Sequence, residues 1–355
     1  MMKKNRMSAT ISHTAAPARR FKTSRRVRIW LKRGLVGFAS AVALLAVTGA
    51  VFQAVSTQND RQKFPAPGQF VDLGGRRMHL LINGQPTNQP TVILDAGIAS
   101  FSSNWAWVQA ELAASTRVVA YDRAGLGWSD PAPQPQDAQE SAKDLHAALQ
   151  KAGIAGPYVM AGHSYGGLVV RAFTDLYPEE VVGMVLVDAS HPDQWTHIKE
   201  SQGGRTVALS NRITSYLAKL GVVRLFNMSA PLTTGLPGQQ AGELRAFLAR
   251  PEAWLTSSGI LSIWEERTRP HINGVHRLGD LPLSVISVTE QALYGEVLTE
   301  LQAELPTLSS NSLHQTVEGA THENLVAQQE HAMVVVDAIL KVIQAAQTGQ
   351  PLAEN

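Results

Sequence analysis

Apolar residues follow three rhythms along this chain. The first is one unbroken run. From residue 34 to residue 59 nothing is charged, and the strongly apolar part spans 35–52. About 18 helical residues at about 1.5 Å each reach roughly 27 Å, close to the hydrocarbon thickness of a bilayer. The second rhythm is a series of short β-branched runs: 70–73 and 77–82 as a hairpin around Gly74-Gly75, then TVILD (91–95), RVVAY (117–121), YVMA (158–161), MVLV (184–187), VISV (285–288) and 314–317. The third is helical spacing between those runs, at 139–151, 165–176 and 329–344. Uninterrupted apolar strands alternating with helices predict a mostly parallel sheet covered on both faces. Residues 190–280 break the alternation. They read as helices rich in Trp and Leu, inserted as a lid. The resulting organisation is a basic arm over 1–33, an apolar span over 34–55, a polar Pro-ended linker over 56–67, an α/β domain over 68–345 and a tail over 346–355.

Charge sharpens the reading of the N-terminus. The formal net charge of +2 hides an asymmetry, because residues 1–33 carry 11 of the 31 Lys and Arg and no acid. The remainder has 20 basic against 29 acidic residues, a net of −9. A dense basic flank before an apolar run stays cytoplasmic, which puts the domain that follows on the periplasmic or extracellular side of a membrane. A cleaved signal peptide is the alternative, although the arm is long and no small-x-small site follows the run. Beyond the arm there is no basic surface signal for nucleic acid. The chain has no cysteine, so disulfides, thiolate metal sites and a Cys nucleophile are excluded. No metal, nucleotide or flavin signature appears.

The candidate chemistry begins at Gly162-His163-Ser164-Tyr165-Gly166, a G-x-S-x-G placed between a strand and a helix. A serine on such a sharp turn needs small neighbours, and the turn exposes its Oγ. His163 lies inside that turn and is expected to point elsewhere. A serine hydroxyl needs an acceptor with a pKa near neutrality. Of 11 histidines, His322 follows the last strand run and precedes the final helix, where the base belongs when chain order is nucleophile, acid, base. His191, His197, His271 and His276 fall in the lid. Two carboxylates compete to orient the imidazole: Asp188, ending the strand before the lid, and Glu290, in the loop after the strand that follows the lid. Asp188 is the first choice. For the developing oxyanion the donors are the N–H of Tyr165 and the N–H of Ile98, after Asp95-Ala96-Gly97. Each is worth about 2.7–4 kcal/mol in a transition state.

VILDAG, VVAYDRAGLGWSD, AGHSYGG, VLVDASH and EGATHEN occur in that order, and together they resemble the α/β-hydrolase superfamily in its branch with a helical lid. The resemblance covers about residues 68–345. It implies the α/β-hydrolase fold, Ser164 as nucleophile and His322 as base, no cofactor, and a small ester or acyl substrate. It also implies that 122–129, after the fourth strand, is structural. The chain departs from the family at Asp95-Ala96-Gly97, where many members have His-Gly, and in lacking an Asp after the lid. A Ser at the elbow argues against the family's haloalkane dehalogenases and epoxide hydrolases, whose nucleophile is Asp. The expected activity is acyl hydrolysis by a membrane-held serine esterase or lipase-like enzyme. The same triad acting on carbon–carbon bonds or as a perhydrolase is the alternative, as is a non-catalytic binding protein on the same fold. Trp195, Trp254 and Trp264 either line an apolar acyl site or form lid core.

Overall fold

The computed structural model describes residues 25–198, 203–275, 278–290 and 295–353, without the side chains of Glu290 and Glu296. The chain divides into two units, Met1–Val47 and Thr48–Asn355. In the first, the described residues are helical and belong to α1 (Arg25–Lys63), a helix long and apolar enough to cross a membrane. Leu35, Phe38, Leu44 and Leu45 are turned outward. The last turns of α1, in the second unit, correct the linker expected over 56–67. Residues 56–63 stay helical because Asp60 is ion-paired to Arg224, and Gln53, two turns earlier, donates to the carbonyl of Ala249 at 2.9 Å. The helix stops before Pro65 and Pro67, which cannot supply the next amide donors.

The second unit is built on an eight-stranded sheet in the order β1-β2-β4-β3-β5-β6-β7-β8. Its strands are β1 (Gln69–Asp72), β2 (Arg77–Asn83), β3 (Thr91–Asp95), β4 (Val118–Tyr121), β5 (Tyr158–His163), β6 (Val181–Val187), β7 (Leu283–Glu290) and β8 (Ser312–Thr321). β2 runs antiparallel to both neighbours, and β4, β3, β5, β6, β7 and β8 are parallel. Side chains alternate between two cores. Ile93, Met160 and Met184 face α3 (Ala138–Lys151), α4 (Gly166–Leu176) and part of the lid, whereas Val92, Leu94, Val159 and Val185 face α2 (Ala106–Leu112) and the C-terminal helix. Each fully buried aliphatic contributes about 1.5–3 kcal/mol. β6 begins three residues earlier than the apolar run suggests. Gly183 interrupts that run, and a methyl there would fall 2.3 Å from Val342 of the C-terminal helix, so the glycine is what lets helix and strand close up.

The lid lies between β6 and β7 and contains no strand among its described residues. Its helices are α5 (Gln194–His197), α6 (Gly204–Lys219), α7 (Val222–Leu225), α8 (Gly238–Leu248), α9 (Pro251–Ser262) and α10 (Arg269–Asn273). Buried Glu243 of α8 accepts from Ser103 Oγ at 2.7 Å, which ties the lid to the turn after β3. Trp264 is fully buried, donates to the carbonyl of Pro192 at 2.8 Å and packs on Trp195 and Tyr165. Half-buried Trp254 donates to the carbonyl of Leu248 at 2.6 Å and packs against the lid cluster of Leu244, Phe247 and Leu248. Trp264 is thus lid core that reaches Tyr165 beside the serine, and Trp195, like Trp254, is half-buried. After the lid come α11 (Gly295–Glu304), α12 (Asn324–Ala327) and α13 (Gln329–Thr348), whose last turn takes in the start of the expected tail.

Candidate active site

Ser164 stands between β5 and α4 with φ at +55°, a left-handed backbone that a serine adopts only when its surroundings impose it. The surroundings leave no room for more side chain. A methyl on Gly162 would fall 2.5 Å from the carbonyl oxygen of Gly166, one on Gly166 2.3 Å from that of Asp95, and one on Gly167 2.4 Å from Ala189 Cβ. The Ser164 amide donates to the Val187 carbonyl at 3.2 Å, and its own carbonyl accepts from Gly167 and Ser190. Ser164 and Asp188 therefore follow neighbouring parallel strands at the same level of the sheet.

His322 follows β8, and its Nδ1 hydrogen-bonds Asp188 Oδ2 at 2.5 Å. Asp188 is buried, also has positive φ (+39°), and donates its amide to the Ile286 carbonyl. The His322 side chain keeps 38% of its surface exposed. Burial works to lower its pKa, but the hydrogen bond and charge of Asp188 outweigh that and raise it above the ordinary histidine value. The loop is pinned from outside. Thr321 N donates to Asn324 Oδ1 at 2.7 Å, Asn324 N returns a bond to Thr321 Oγ1, and His331 Nδ1 lies 3.0 Å from the same Asn324 Oδ1. The second candidate acid, Glu290, closes β7 opposite Thr321, and its side chain lies outside the described residues. So does all of His276, while His191 and His197 contact Asp193 and His271 lies near Asp137.

His163 does not point elsewhere. Its Nε2 lies 2.9 Å from the His322 carbonyl, and the two rings are 4.6 Å apart. A carbonyl can only accept, so Nε2 carries the proton. Burial, with His322 adding to it, pushes the pKa of His163 down to about 3, which keeps the ring neutral. Position alone gives no hint of this, because the partner is 159 residues away.

Gly97 passes directly over the serine. A Cβ there would lie 3.1 Å from Ser164 Cβ and 3.5 Å from its Oγ. The buried Arg123 guanidinium donates to the Ala96 and Gly97 carbonyls and to Asp95, which also accepts from Tyr121. In a trans peptide the C=O and the following N–H point in opposite directions. With the Gly97 carbonyl held by Arg123, the Ile98 N–H points away from the guanidinium. Among the described residues neither the Ile98 nor the Tyr165 amide is spent on a protein acceptor. The Asp95 departure from His-Gly thus has a partner, supplied by the stretch after β4. In that stretch Asp122 also accepts from Ser102 N, Trp128 N and the His79 ring.

Comparison with known proteins decides the family. The profile of the Alpha/beta hydrolase family matches residues 80–338. The chain belongs to the alpha/beta hydrolase family. An AB hydrolase superfamily protein of Gibberella zeae is 34% identical over 122 residues, 32% of this chain and 38% of that protein. Epoxide hydrolase 4 of Mus musculus is 29% identical over 125 residues, 34% of each. The chain thus spans well under two thirds of these relatives' lengths. The structure of a thermophilic esterase from Thermogutta terrifontis superposes with a TM-score of 0.60 at 20% identity, covering 79% of this chain and all of that one. These likenesses establish the fold and a hydrolase family.

Proposed function

We propose that this hydrolase is a serine enzyme that cleaves an ester or related acyl bond through an acyl-enzyme. The observation that carries the reading is the His322–Asp188 hydrogen bond, with Asp188 one strand over from a serine held on a left-handed turn. Donation of the Nδ1 proton to Asp188 leaves Nε2 unprotonated and able to accept the Ser164 hydroxyl proton. As Oγ bonds to the acyl carbon, the carbonyl oxygen becomes an alkoxide facing the Ile98 and Tyr165 N–H groups. Collapse breaks the bond to the leaving group, which takes the proton from His322. Water, deprotonated by the same imidazole, then attacks the acyl-serine, and the proton returns to Oγ as the acid departs. Asp188 stabilises the imidazolium in both halves.

The basic arm and α1 support a membrane anchor with the catalytic unit on the non-cytoplasmic side. The proposed organisation keeps the arm over 1–33, the span over 34–55 and the hydrolase domain over 68–345. A panel of p-nitrophenyl esters of increasing acyl length tests the activity on the full-length protein in detergent. Turnover is expected with at least one ester, and Ser164→Ala should lose nearly all of it. Equal turnover by both proteins would overturn the serine mechanism.

A further inference from the structure

The lid carries a surface that its role as a cover does not explain. On α6 Leu209, Ile213 and Tyr216, and at its C-cap Leu220, are exposed at spacings of four, three and four, which makes a single apolar stripe. Leu225 and Phe226 continue it at the end of α7, and they are 70% and 71% exposed, among the most solvent-facing large apolar residues of the catalytic unit. Along one side of the stripe run Arg205, Arg212 and Lys219, seven residues apart and all exposed, with Lys219 Nζ 5.1 Å from the Tyr216 ring. No Asp or Glu occurs from residue 203 to residue 242, in a body whose net charge without the N-terminal arm is −9. A helix with an apolar face edged by Lys and Arg lies in a membrane interface, its apolar residues about 5–10 Å into the headgroup boundary.

The occupant follows from what touches the patch. The end of the apolar run of α1 packs against the lid at this place. A methyl on Gly49 would fall 2.3 Å from the Leu220 carbonyl oxygen, and one on Gly221 2.9 Å from the Phe52 ring. Glycine on both sides is what permits so close an approach. The junction is then locked by Gln53 to Ala249, Arg224 Nη2 to Asp60 at 2.6 Å, and Trp128 Nε1 to the Phe64 carbonyl at 3.1 Å. The last turns of the helix that can cross a membrane are therefore fastened beside the basic and apolar face of an acidic domain.

We propose that the exposed face of α6 and α7 sits in the headgroup layer of an anionic phospholipid bilayer. The inference rests on α1 being a retained anchor, and it is independent of the acyl chemistry. A second copy of the chain would not explain the basic edge, because a two-fold contact uses the same patch on both sides and residues 203–242 offer it no Asp or Glu.

The absence of cysteine makes the test clean, since any introduced thiol is unique. Full-length Ile213→Cys, Phe226→Cys and, on the exposed side of α13, Gln344→Cys are labelled with a polarity-sensitive fluorophore. They are then reconstituted into phosphatidylcholine vesicles with or without phosphatidylglycerol, whose acyl chains are brominated or not. In anionic vesicles, bromination should quench most of the emission at 213 and 226 and none at 344. The charge-reversed pair Arg212→Glu and Lys219→Glu should weaken the quenching at both lid sites. Co-flotation with vesicles but no quenching at 213 and 226 overturns the proposal and leaves the anchor standing. Failure to co-float overturns both. Quenching indifferent to phosphatidylglycerol removes the anionic lipid, and emission that changes with protein concentration alone assigns the face to a second copy.

Discussion

Replacing Asp188 with Asn tests the charge behind His322 while sparing the backbone. Asn tolerates positive φ better than almost any other residue, so the +39° turn after β6 should survive. What changes is the bond to His322 Nδ1, 2.5 Å in length and buried at the Asp188 end. A neutral amide can present its NH2 to Nδ1, which moves the imidazole proton to Nε2 and leaves nothing to accept the serine proton. It also removes the negative charge that would stabilise the imidazolium. The loss for such a wrong tautomer is about 10⁴ in kcat, or about 5.4 kcal/mol of barrier. The pH profile supplies a second readout. The base must be neutral in the free enzyme, and Asp188 holds its pKa above the ordinary histidine value. The acid limb of kcat/KM in the native enzyme therefore lies above about 6.5. In the Asp188→Asn variant, whatever activity remains should show that limb displaced to lower pH. The assay is ester turnover from pH 5 to 9, with circular dichroism to confirm folding. Glu290→Gln serves as the comparison and should lose much less. A folded Asp188→Asn variant within tenfold of native, or a dead Glu290→Gln beside an active Asp188→Asn, refutes the reasoning.

Arg123→Met should both destabilise and slow the enzyme. It leaves the Asp95 carboxylate buried without its cation, which costs about 3–5 kcal/mol and is read as a lowered Tm. It also frees the Gly97 carbonyl, so that kcat falls more than KM rises in the molecules that remain folded. An unchanged kcat would show that Arg123 does not set the direction of the Ile98 amide. His163→Phe removes one hydrogen bond to the His322 carbonyl, a net contribution of about 1 kcal/mol to stability that is read as a lowered Tm, and kcat should fall only modestly. The acid limb should keep its raised position, because Asp188 and not the already neutral His163 sets it. A large shift of that limb would contradict this.

The parts of the fold that can be read from the chain are those in which one residue type recurs in one environment. β3, β4 and β5 are buried on both faces, so their uninterrupted apolar runs mark them nearly to the residue. β8 lies at the sheet edge with most of its side chains half-buried or exposed, and only its middle is visible as an apolar pattern. Residues 56–63 look like a polar linker because what keeps them helical is tertiary, above all the Asp60–Arg224 pair. The same limit applies at the site. Strand and turn spacing mark Ser164 and His322, because each sits where an element ends. Chain order cannot choose between Asp188 and Glu290, and the support for Asp188 is the tertiary contact with His322 Nδ1. Arg123 stands in a stretch expected to be structural. Its hold on the Gly97 carbonyl depends on β3 and β4 lying side by side, which pattern alone does not convey.

The central claim is that Ser164 supplies the reacting oxygen, made nucleophilic by the pair behind it. The most direct measurement is covalent. Full-length protein is treated with a fluorophosphonate, digested, and the modified residue is located by tandem mass spectrometry. The account predicts a single adduct on Ser164. Labelling should be lost in Ser164→Ala, fall by orders of magnitude in Asp188→Asn, and slow as pH drops through the raised pKa of His322. An adduct on another residue, or labelling of Ser164 at the same rate with and without the Asp188 carboxylate, would contradict it.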